Sequence, residues 1–116
     1  MKSYKKLFMW QRTNELVMLV YKVTQKFPRE EMYGITSQLR RASLSVVLNI
    51  VEGYGRRSKG EFKRFLDISL GSLAEVEYLL ELSLELGFIE GSTLDQLEIK
   101  RSECGKLIWS YREKLC

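Results

Sequence analysis

Residues 38–54 form a helix too apolar to have a single wet face, and this constrains the fold more than any other stretch of the chain. Read at about 100° per residue, Gln38, Arg41, Ser45, Asn49 and Glu52 fall within one arc of roughly 80°. That arc is a polar stripe. Leu39, Leu44, Val46, Val47, Leu48, Ile50, Val51 and Tyr54 fill an apolar arc of roughly 200°, against the narrower stripe of a helix with one buried side. Such a helix must be covered on more than one side. In a chain of 116 residues, the covering elements are the other helices of the subunit and, by expectation, a neighbouring copy.

A chain of this length makes one domain with limited interior, so a wide apolar surface favours self-association. We take residues 1–116 as a single domain. With 45% hydrophobic residues, 29% charged residues and one proline, the composition is that of a globular helical protein and not of a disordered one. No histidine occurs, which removes the commonest general base and metal ligand and lowers the expectation of acid–base or transition-metal chemistry. No cofactor or metal is expected. Cys104 and Cys116 lack CxxC spacing, and no signal peptide or long apolar span precedes them, so a reducing cytoplasm is the expected compartment, with no membrane partner.

Taken in order, residues 7–27 place Leu7, Trp10, Leu16, Val17 and Val20 on one helical face after a basic lead of Lys2, Lys5 and Lys6. Pro28 ends this helix, and Thr36 or Ser37 is the expected N-cap of the second, which runs to about Glu52. Gly53 and Gly55 allow a left-handed stop. Ser58 followed by Glu61 reads as a capping box opening a third helix that extends to Leu86. That helix of about 28 residues would span roughly 42 Å at about 1.5 Å per residue, which sets the long dimension of the molecule. Its face carries Phe62, Phe65, Leu66, Leu70, Leu73, Val76, Leu80 and Leu84. Gly87 is a natural C-cap, and Leu94, Leu97, Cys104, Ile108, Tyr111 and Leu115 outline a fourth helix. The expected fold is all-α, an antiparallel up-down four-helix bundle.

Charge is unevenly spread. Residues 1–64 hold 14 Lys and Arg against 5 Asp and Glu, while residues 65–116 hold 5 against 10, although the net charge is only +4. Five cations, Arg56, Arg57, Lys59, Lys63 and Arg64, cluster around the turn before the third helix with Glu61 the one acid among them. A charge run is ordinarily just a solvated face. Here, however, Lys59, Lys63 and Arg64 open a helix, where the macrodipole disfavours cations, and Glu77, Glu81 and Glu85 approach its end, where anions are disfavoured. Helix stability does not explain that order. A polyanion docking on the basic end would explain half of it, and acidic-to-basic contact between neighbouring copies the other half. Arg40 and Arg41 are candidates to extend the surface, or one of them to pair with Glu52 or Glu75.

Ser45, Asn49 and Glu52 on the second helix, with Ser72 and Glu75 on the third, have two readings. They form either a hydrogen-bonded network that fixes helix register or a site using Glu52 or Glu75 as a catalytic carboxylate. The network is favoured, because the carboxylates lack a His, a catalytic Cys, metal-ligand spacing or a glycine-rich phosphate loop beside them. Gly71 leaves room for another backbone to approach. Trp10, Tyr54 and Trp109 read as core aromatics, and no base stacking is assigned to them.

Trp10 and Gln11, FPREE at residues 27–31, YGITSQLRRASLSVVLNIVEGYGRR at residues 33–57, Phe62 with Phe65, and GSLAE at residues 71–75 closely resemble the four-helix-bundle proteins encoded in intervening sequences of bacterial 23S ribosomal RNA genes. The combination of RRA, NIxEG and GSLxE in this order is the specific part. Where the family pattern has a proline and a serine, this chain has Val47 and Leu48, which makes the helix more apolar and puts its kink in question. The resemblance implies a homopentameric barrel of four-helix bundles. It extends to the accessory variability proteins of diversity-generating retroelements, whose basic barrels bind nucleic acid and a reverse transcriptase. It therefore implies a non-enzymatic accessory protein that binds the backbone of RNA or DNA through Arg56, Arg57, Lys59, Lys63 and Arg64, with Arg40 or Arg41. The alternative is a protein scaffold or adaptor for a nucleic-acid enzyme such as a reverse transcriptase, without direct nucleic-acid binding.

Overall fold

Four helices account for the four apolar periodicities. In the computed structural model, which describes residues 3–115, α1 spans Phe8–Thr24, α2 Ile35–Tyr54, α3 Lys59–Glu85 and α4 Gly91–Lys114, with short 3-10 turns at Ser3–Lys6 and Arg29–Glu31. Lys2 and Cys116 lie outside the described residues. Each helix packs on its two neighbours in a square, α1 on α2 and α4, and α3 on α2 and α4; the diagonal pairs do not meet at the backbone. Short connections make the square an up-down bundle. Its extents are 43 × 25 × 24 Å, so α3 does set the long dimension.

Leu16 and Val20 of α1, Leu39, Val46 and Ile50 of α2, Leu66, Leu73, Val76 and Leu80 of α3, and Leu97, Cys104 and Ile108 of α4 fill the interior. Between them run small hydroxyl residues that bring helices close while satisfying their own polar atoms. Ser69 Oγ donates across the α2–α3 contact to the Val46 carbonyl at 2.8 Å, and Thr13, Thr24 and Ser83 donate to carbonyls one turn back on their own helices at 2.7 Å. Each buried hydroxyl placed this way avoids the cost of an unmade hydrogen bond.

Three helix ends show how local chemistry sets boundaries. Ser58 caps α3 as expected, its Oγ accepting from the Glu61 N–H at 3.0 Å and donating to the Glu61 carboxylate at 3.3 Å. At the other end Gly87 adopts φ +80°, and the Phe88 N–H reaches the Ser83 carbonyl while the Gly87 N–H reaches that of Leu84, at 2.9 and 3.0 Å. This paired closure needs the left-handed residue that glycine supplies. The start of α2 differs from expectation. Thr36 and Ser37 lie inside the helix, Gly34 occupies the cap position, and the Glu31 carboxylate reaches from the preceding turn to accept the Ile35 N–H at 3.3 Å.

The end of α2 also differs. Gly55 stays right-handed at φ −80°, and the helix runs unbroken through Val47 and Leu48 to Tyr54. Gly53 serves contact instead of chain reversal. A Cβ there would sit 2.8 Å from Phe62 Cδ1 and 2.9 Å from Phe65 Cβ, so only glycine lets α2 lie directly on the first turn of α3. Gly71, by contrast, faces open space on the subunit surface.

Candidate nucleic-acid interface

The up-down course of the chain gathers three remote stretches at one end of the bundle: the start of α1, the α2–α3 turn and the end of α4. Ring contacts tie the last two together. Tyr54 meets Phe62 edge-on at 6.0 Å between centroids, and Phe62 meets Tyr111 at 5.5 Å. Around these rings stand Lys5, Lys6, Arg56, Arg57, Lys59, Lys63, Arg64 and Arg112, with Glu52, Glu61, Asp67 and Glu113 the acids among them. The opposite end carries Glu30, Glu31, Glu81, Glu85, Glu90 and Asp95 against Lys22, Lys26 and Arg29. The two ends of a 43 Å body thus differ in the sign of their net charge.

At the basic turn, Arg57, Lys59 and Arg64 are exposed and Lys63 is half-buried, and none of the four pairs with a carboxylate among the described residues. Arg56 bonds Glu52 at 2.8 Å. Its guanidinium also lies 4.9 Å from the centre of the Phe65 ring, and that of Arg64 lies 5.7 Å from the same ring. Phe65 therefore positions two of the five cations, and Gly53 fixes where Phe65 sits. Arg64, held against the ring and bonded to no carboxylate, keeps its N–H donors available to phosphate oxygens, whereas Arg56 gives one of its donors to Glu52.

Arg40 and Arg41 do not join this surface. They precede Tyr54 by enough residues to stand about 20 Å away along α2 at about 1.5 Å per residue. Arg40 donates from Nε to Thr24 Oγ1 at 2.8 Å and lies 4.6 Å from the Tyr21 ring centre, which commits it to the α1–α2 contact. Arg41 is exposed, and neither arginine pairs with Glu52 or Glu75.

Three of the five polar residues expected to form a network do meet. Ser45 Oγ and Ser72 Oγ are 2.8 Å apart across the α2–α3 contact, and Asn49 Nδ2 donates to the Ser45 carbonyl and Oγ at 2.8 and 3.1 Å. Glu52 turns outward to Arg56. Glu75 lines a shallow groove with Gln38, Ala74, Tyr78 and Leu79. A cavity of about 520 Å³ at the acidic end, lined in part by Leu19, Lys22, Lys26, Phe88 and Gln96, is remote from both carboxylates. Among the described residues no group of three or more Cys, Asp and Glu is placed to hold a metal ion, and no helix is long and apolar enough to cross a membrane.

Sequence reading of the site missed Lys5, Lys6 and Arg112, which are far from the turn along the chain. The signal was present in the expected topology, since an up-down bundle must bring its N-terminus, second turn and last helix to the same end. It also missed that Trp109 is exposed. The residue is 53% exposed, with Arg112 lying 5.7 Å from the centre of its ring.

Residues 5–110 match the family model of the 23S rRNA-intervening sequence proteins. The chain belongs to that family. Among solved structures, this intervening-sequence protein is similar to one from Bacteroides thetaiotaomicron, described as a protein of unknown function from the S23 ribosomal protein family. That structure superposes with a TM-score of 0.81 over 91% of this chain and 99% of the other, at 23% sequence identity. At that identity the likeness establishes the fold. No curated protein matches the chain.

Proposed function

We propose that this 23S rRNA-intervening sequence protein is a non-enzymatic, cytoplasmic accessory protein that binds RNA or DNA through the backbone phosphates. One observation carries the reading. Arg57, Lys59, Lys63 and Arg64 stand without carboxylate partners among the described residues at the end of the bundle where the start of α1 adds Lys5 and Lys6; Arg112 of α4 lies there too but is paired with Asp67 and Glu113. Unpaired cations concentrated on one surface bind phosphate by releasing counterions, with little dependence on sequence. Glu52 and Glu75, the carboxylates considered for catalysis, lie on the surface and away from the 520 Å³ cavity.

The test is fluorescence-anisotropy titration of labelled RNA and DNA across a salt series, comparing the wild type with the triple variant Arg56→Glu, Arg57→Glu, Lys59→Glu. Affinity should fall steeply with salt, and the variant should lose about two to three from the slope of log K against log salt. Absence of binding at low salt overturns the reading.

The surface also favours self-association. Leu48, Ile68, Tyr78 and Leu86 are exposed along the outer side of α2 and α3, where Gly71 meets nothing, and Met18 and Ile99 are exposed on α1 and α4. Two different apolar faces on one subunit suit a head-to-tail ring of identical copies, and we take the homopentamer implied by the family resemblance as its form. A scaffold seating a reverse transcriptase or another nucleic-acid enzyme on these faces is the second reading. A monomer in solution that binds no nucleic acid would favour it.

A further inference from the structure

Building on the phosphate-binding reading, we propose that the basic end takes single-stranded nucleic acid in preference to duplex, with Trp109 as a stacking surface for an unpaired base. Four of the five cation–ring pairs among the described residues lie at this end: Lys5 at 5.8 Å from Trp10, Arg56 and Arg64 beside Phe65, and Arg112 beside Trp109. Aromatic side chains are also open to solvent there. Phe8 is 67% accessible, Trp109 53% and Tyr54 37%; Tyr33 and Tyr78 are also exposed elsewhere, but neither has a cation against its ring, so open rings and ring-held cations coincide only at this end among the described residues.

Trp109 is held at the edge of the cation cluster by named contacts. Arg112, which stands over its ring, bonds Asp67 on α3 through Nε at 2.5 Å and Nη2 at 3.3 Å. Asp67 is one helical turn beyond Lys63 and three residues beyond Arg64. A strand whose phosphates contact Lys63 and Arg64 thus passes beside an open indole. Cationic grooves with interleaved exposed aromatics suit single strands, because each unpaired base offers a face to stack. In duplex those faces are already stacked on each other. Among the described residues, this end of the bundle also has no projecting helix or two-stranded ribbon that could enter a major groove about 12 Å wide. The chemistry recognised is shared by single-stranded RNA and DNA.

The test uses the full-length protein with oligo(dT), oligo(U) and a mixed-sequence DNA duplex of equal length. Anisotropy should give both single strands at least about tenfold tighter binding than duplex, and titration of unlabelled strands should quench tryptophan emission. Measured in a Trp10→Phe background, so that Trp109 is the one emitter, the quench should vanish in Trp109→Phe, whose remaining ring keeps most of the affinity. Trp109→Ala should weaken single-strand binding by about fivefold or more with the salt slope unchanged, because no phosphate contact is removed. Acrylamide quenching of the free protein should find Trp109 accessible; a protected indole overturns the proposal. Equal affinity for duplex and single strands, with no Trp109 response, overturns it too but leaves the phosphate-binding reading standing. No binding of any of the three ligands at low salt removes both.

Discussion

The clearest residue-level constraint is Gly53, which is buried because two aromatic side chains of the next helix occupy the space a Cβ would need. The crowding atoms include Phe65 Cβ at 2.9 Å, which cannot swing away as the tip of a flexible side chain could. Gly53→Ala should therefore force α2 from the first turn of α3 and destabilise the protein by about 1–3 kcal/mol, the usual range for overpacking. Urea unfolding followed by circular dichroism would read this as a lower midpoint. An unchanged midpoint would mean that the turn yields without cost. The substitution should also disturb Phe65 and, through it, Arg56 and Arg64, so salt-dependent binding should weaken with no charge removed. The sequence marked this glycine but assigned it to chain reversal. Nothing in the local pattern says that the rings of Phe62 and Phe65 will press on it, since that contact forms only once α2 and α3 pack. Cys104 had the opposite fate. Its burial was legible from helical spacing, and burial pushes its thiol up to about 12, which makes it a core side chain and not a reactive one.

At the level of elements, α4 is the helix whose attachment depends most on charge. Its fully buried apolar contribution is small, chiefly Leu97, Cys104 and Ile108, and ion pairs fasten its flanks. On the α1 side Lys100 bonds Glu15 at 2.8 Å and Arg12 lies 3.4 Å from Glu103; on the α3 side Arg101 meets Glu77 at 3.3 Å while also clasping Glu98, and Arg112 meets Asp67. The Lys100 hydrogen bond holds Glu15 below its ordinary value of 4.5. A carboxylate with a depressed folded value stabilises fully above its unfolded value and loses that contribution as pH falls through the folded one. Hydrogen exchange should therefore show α4 amides losing protection first as pH drops below about 4.5, while α2 and α3 stay protected by their apolar contact. Simultaneous loss in all four helices would contradict this. The four elements themselves were legible, because apolar periodicity, Pro28, the Ser58 cap and Gly87 all act locally. The start of α2 was not, because its first N–H is satisfied by Glu31 reaching out of a 3-10 turn and not by a hydroxyl inside the expected cap. The partners that fasten α4 were hidden for a similar reason, since most of them lie on other helices.

For the molecule as a whole, the separation of charge becomes useful only if copies align. One basic end offers a handful of unpaired cations, enough for weak, salt-sensitive binding. In a ring of parallel copies, five such ends would share one face, and a strand long enough to cross two or more of them would bind each additional end intramolecularly. Affinity should then depend on assembly as much as on any single arginine. Tyr78 separates the two effects. It is 62% exposed in the groove beside Glu75, and it lies about 20 Å along α3 from Arg64 at about 1.5 Å per residue. Tyr78→Lys adds positive charge in acidic surroundings, so it should leave the isolated subunit folded and should not weaken phosphate binding through local charge. Light scattering should give a wild-type mass near five times the 13.6 kDa of one chain and a smaller mass for the variant, with helical content unchanged. If parallel assembly supplies the affinity, the variant should bind a long strand at least about tenfold more weakly while its affinity for a strand too short to bridge two subunits stays the same. A variant that falls to monomer yet binds long strands as tightly as the wild type would show that each basic end works alone.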